Sequence, residues 1–65
     1  MKPTIGRIVH YVVGSAHHAA VIAHVFTETC VNLAVFDFNG TPYSRTSVAY
    51  SEEAQDGSWH WPERD

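Results

Sequence analysis

Cysteine occurs once, at Cys30, and leucine once, at Leu33. A lone thiol excludes an internal disulfide and points to a reducing, cytoplasmic setting. Scarce leucine argues against a helical bundle, which draws on Leu, Ala, Glu and Lys. No stretch approaches the ~20 apolar residues of a membrane helix. The apolar part of the N-terminal segment is broken by Gly6, Arg7 and His10, so it does not read as a secretory signal. Acid is missing from the whole first part of the chain. Nothing before Glu28 carries a negative side chain, whereas Lys2, Arg7, His10, His17, His18 and His24 all lie there. The net charge of −3 excludes a basic surface for duplex DNA.

What remains is one small domain, residues 1–65, rich in valine, isoleucine and threonine. Sixty-five residues bury only about 60% of the surface that the unfolded chain exposes. A core this thin calls for a staple, and with disulfides excluded the choices are a metal, partner subunits or very close packing. β-branched residues favour strands, and five are expected: residues 5–13, 19–26, 31–38, 41–50 (in one piece or two) and 58–61. Segment 15–18 reads as a loop, 27–29 as a turn and 51–57 as a solvated acidic loop. A short helix over 19–26 is the alternative to the second strand, giving an α+β fold. Asn39-Gly40 predicts a two-residue type I′ hairpin turn that sets Phe36 opposite Tyr43. Pro42 then belongs on an edge strand. Pro62 stops the last strand, and residues 62–65 read as a frayed tail. The expected fold is all-β, a small SH3-like five-stranded antiparallel barrel that forms a homo-oligomer to cover its remaining edges.

The chemistry-bearing residues are aromatic and basic. On a strand, Trp59 and Trp61 share one face and His60 takes the other. The two indoles either plug the core or stack on a flat ring such as a nucleobase. Arg7 and Arg45 either close surface ion pairs or grip a phosphate or carboxylate. The histidines accompany no Cys-x-x-Cys pair, and no metal or other cofactor is expected. Ser15, Ser44, Ser47, Ser51 and Ser58 lack a nucleophile context. Cys30 heads an apolar strand as a small hydrophobe. No enzymatic activity is expected.

The segments Gly6-Arg7-Ile8-Val9-His10-Tyr11, Ala19-Ala20-Val21-Ile22, Asn32-Leu33-Ala34-Val35-Phe36 and Gly57-Ser58-Trp59-His60-Trp61-Pro62-Glu63 stand in this order. Together they resemble a group of short uncharacterised proteins of bacteriophages and actinobacterial genomes. Where that group often carries a Cys-Arg pair, this chain has His17-His18. The resemblance implies a compact β fold and an accessory role in a phage or mobile element, acting in the host cytoplasm.

These readings converge on a non-enzymatic binding protein. The expected ligand is a small anion, such as a cyclic oligonucleotide immune signal that the protein would sequester. Arg7, His10 and Arg45 would meet its phosphates, and Phe38, Tyr43, Trp59 and Trp61 would stack on its bases. The alternative is a protein–protein module that inhibits a host protein or serves as a minor phage structural component.

Overall fold

The computed structural model describes residues 2–62 and is all-β. Its strands are β1 (Ile8–Val13), β2 (Ala16–Thr27), β3 (Cys30–Phe36), β4 (Pro42–Ala49) and β5 (Trp59–His60). They form one antiparallel sheet in the order β4-β3-β2-β1-β5. Its two outer strands come together at one point, where Tyr50, just past β4, makes an isolated parallel bridge to Trp59 of β5. The sheet is therefore curled, and a single bridge rather than a ladder joins its ends.

Alternation of side chains places the core on the concave face. Val9 and Tyr11 of β1, Ala20 and Ile22 of β2, and Val31, Leu33 and Val35 of β3 are buried there with Val48 and Trp59. Segment 19–26 is strand and not helix: Ala19, Ala20 and Val21 pair with both β1 and β3, and Ile22, His24 and Val25 pair with β3. β2 bends at two register shifts, between Ile22 and His24 and between Val25 and Thr27. A third irregularity lies opposite Asn32, whose Oδ1 accepts the Ser47 amide at 2.9 Å. Ser47 takes φ 53 there, so the bulge holds a left-handed residue in an edge strand.

Several boundaries differ from the sequence reading. β1 begins at Ile8 and not at residue 5, because Ile5 and Gly6 turn before the ladder. Segment 15–18 is not a loop: Gly14 at φ 60 and Ser15 form a two-residue hairpin turn, and Val13 already pairs with Ala16. β3 ends at Phe36, two residues early. The following turn is wider than Asn39-Gly40 suggests. Only Gly40 has positive φ, the Gly40 amide donates to the Asp37 carbonyl at 2.8 Å, and Asp37 N donates to Thr41 O at 3.1 Å. Asp37 Oδ1 accepts the Asn39 and Thr41 amides, each at 2.9 Å, which favours this three-residue form over the type I′ turn. Tyr43 consequently pairs with Val35, and Phe36 faces Pro42. Residues 42–49 form a single strand, on the outer edge of the sheet where Pro42 costs no ladder bond. Residues 63–65 of the expected tail lie outside the described residues.

Candidate functional site

The two faces of the short strand β5 lead to different groups of side chains. Trp59 points into the core and His60 to the opposite face, both buried.

On the Trp59 side, the turn between β2 and β3 meets the segment following β4. The Thr29 carbonyl accepts the Tyr50 amide at 2.8 Å and the Trp59 Nε1–H at 3.3 Å. Ser51 N donates to Trp59 O at 3.0 Å. These bonds fix a cleft of about 380 Å³ lined by Glu28, Thr29, Tyr50, Glu52, Trp59 and Trp61. Its rings stand on edge to one another. Tyr50 and Trp59 have centroids 5.0 Å apart at 65°, and Trp59 and Trp61 are 5.4 Å apart at 83°. Trp59 is the buried floor, while Tyr50 and Trp61 are half-buried walls. The lining carboxylates are Glu28 and Glu52, which favour a cation over an anion beside them. The chain's own Lys2 ammonium already lies 3.5 Å from Glu28, across an exposed pair. The Arg7 guanidinium lies 5.5 Å from the Trp61 centroid.

A second group lies on β4 and β2. Arg45 places its guanidinium carbon 4.6 Å from the Tyr43 ring centroid, and its Nη1 donates to Ser44 O at 2.8 Å. The Tyr43 hydroxyl is 2.8 Å from His18 Nδ1, the tautomer of the imidazole deciding which donates. The chain matches no family model, no curated protein and no solved structure.

A third group lies on the other face of β5, where His10, His17 and His60 come together. The sequence-predicted site residues are thus divided. Trp59 and Trp61 line the cleft, with Arg7 against Trp61; Tyr43 and Arg45 pair on β4; His10 joins the other histidines. Phe38 stands at the tip of the β3–β4 hairpin, 90% exposed. Tyr50, Glu28 and Glu52 were not singled out from the sequence. They lie in a turn and a loop, where no periodicity marks a residue as facing a cleft. His17 and His60 carry no ligand signature in their spacing along the chain, and only the fold brings them to His10.

Partial burial raises the phenol pKa of Tyr43, with Arg45 opposing and Tyr11 and Asp37 adding to the rise. Tyr50 is raised as well, by loss of solvent and then by the adjacent Glu52 carboxylate, which also accepts its hydrogen bond. The fold therefore favours both neutral phenols. That contribution is fully present below the unfolded tyrosine value of about 10 and is lost as pH rises through the higher folded values. Melting temperature should hold steady up to about pH 10 and then fall, with Tyr50→Phe reducing the fall. Identical alkaline melting of wild type and Tyr50→Phe would remove Tyr50 from this account.

Proposed function

We propose that the protein is a recognition module whose aromatic–acidic cleft takes an ammonium-bearing side chain of a partner protein, a methylated lysine being the best chemical fit. The observation that carries this reading is the meeting of upright rings with carboxylates in one cleft. Aromatic faces attract a cation through their quadrupole, by about 0.5–2 kcal/mol for each well-placed ring. A methylated ammonium has little hydration to lose and presents apolar methyl groups to the indoles. Glu28 and Glu52 add Coulomb attraction without enclosing an uncompensated charge. This specifies the protein–protein alternative and suits the accessory role that the phage resemblance implies.

The test is a titration followed by tryptophan fluorescence and by amide NMR, with three probes: N-acetyl-trimethyllysine amide, its neutral tert-butyl isostere and a cyclic dinucleotide. Saturable binding of the trimethyllysine probe is expected, weakened about tenfold by Trp61→Ala, with little binding of the neutral isostere. Equal binding of the cationic and neutral probes, or binding of neither, would overturn the reading.

The anionic-ligand reading finds its support at Arg45, which presents a guanidinium over Tyr43 beside His18 on an exposed edge strand. Such a face suits a phosphate with a base stacked on it. Binding of the cyclic dinucleotide that is lost in Arg45→Ala would support this second reading; binding that survives the substitution would remove Arg45 from it.

A further inference from the structure

His10 and His60 face each other directly across the β1–β5 pair. His17 enters from β2, where it pairs with Val12, the residue two beyond His10 on the same face of β1. Its neighbour His18 points the other way, to Tyr43. The three imidazoles pack edge to face, with centroids 5.7 Å apart for His10–His17, 5.4 Å for His10–His60 and 4.8 Å for His17–His60. One ring nitrogen from each lies within 4.8 Å of the others. Nδ1 of His10 and of His60 is shielded from solvent, while His17 is exposed.

We propose that His10, His17 and His60 form a binding site for a divalent transition-metal ion of the zinc class. Neutral imidazole is a preferred ligand for such ions. Tetrahedral zinc with Zn–N bonds of ~2.0–2.1 Å sets its nitrogens about 3.3 Å apart. The nitrogens, now within 4.8 Å of one another, would close to that spacing by χ rotation, chiefly of the exposed His17. Three protein ligands leave a fourth position for water or an external donor. The ligands come from β1, β2 and β5, so the ion would fasten the two-residue strand β5 to the sheet. This is one of the staples that a 65-residue chain with a single cysteine lacks otherwise. The site lies on the opposite face of β5 from the cleft, and the proposal stands or falls independently of the ligand taken there.

The test uses untagged protein stripped with chelator and titrated with ZnCl2 by calorimetry, with melting followed by circular dichroism and the imidazoles by 15N NMR. One equivalent should bind, and the melting temperature should rise by roughly 15–20 °C at a hundredfold excess over Kd. The ring signals of His10, His17 and His60 should shift, and those of His18 and His24 should not. His17→Gln changes an exposed side chain and should leave the metal-free fold intact, yet weaken zinc roughly 100-fold or more. His24→Gln should bind as wild type does. Absence of saturable 1:1 binding would overturn the proposal, as would unchanged affinity in His17→Gln or loss of affinity in His24→Gln.

Discussion

Trp59→Ala should leave most of the chain unfolded at 37 °C. Trp59 is 1% exposed and is the largest fully buried side chain. It touches Tyr50 and Trp61, donates its indole N–H to Thr29 O, and carries the bridge that joins the two ends of the sheet. Truncating a buried tryptophan costs about 3–5 kcal/mol. A domain with about 0.05–0.15 kcal/mol of stability per residue has about 3–10 kcal/mol to lose at this length, and the substitution exhausts the lower part of that range. The loss is also concentrated where the sheet is weakest, because β5 contributes only two residues to the ladder. Trp59→Phe keeps most of the volume and should remain folded with a lowered melting temperature. Circular dichroism melting of both variants checks the claim; a melting temperature for Trp59→Ala within a few degrees of wild type would refute it.

The fold was legible wherever one face of a strand is buried. Val31, Leu33 and Val35 alternate with Asn32 and Ala34, and the structure buries the first set completely or nearly so. Strand ends were less legible because they depend on turn hydrogen bonds that residue type alone leaves undecided. Asn39-Gly40 suits a type I′ turn locally, yet the Asp37 carboxylate accepts two amides of the loop and selects a wider one. That choice moves Tyr43 from Phe36 to Val35, and with it the partner of Arg45. His17 and His18 read as loop residues for a related reason. The Gly14-Ser15 turn is so tight that β2 starts at Ala16.

The site was legible in kind more than in place. Trp59, Trp61 and His10 belong to groups that the structure assembles, but their partners come from distant parts of the chain. Thr29 O accepts both the Trp59 indole N–H and the Tyr50 amide, Ser51 N donates to Trp59 O, and His10 meets His60 only because β5 returns to pair with β1. The missed carboxylates have a physical explanation. Glu28 and Glu52 sit in a turn and an acidic loop, which read as solvated surface until the curl of the sheet brings both beside the indoles.

Reversing those two charges should reverse the ligand preference of the cleft. In the Glu28→Lys/Glu52→Lys variant, each position changes by two units of charge. At a separation of about 6 Å in water-like dielectric, one unit is worth roughly 0.7 kcal/mol, so the double change approaches about 3 kcal/mol before screening. Salt at physiological strength reduces this, because the cleft is open to solvent. A drop of roughly 30- to 100-fold in affinity for the trimethyllysine probe is expected. The core should be unaffected, since Glu28 is exposed and neither carboxylate lies in the buried cluster. Two further variants separate charge from shape. Glu28→Gln/Glu52→Gln should show an intermediate loss, and Trp61→Ala should weaken the cationic probe without changing the salt dependence of what binding remains. Full affinity in the doubly reversed protein would mean that the carboxylates do not face the bound cation, and the cleft would lose its claim as the recognition site.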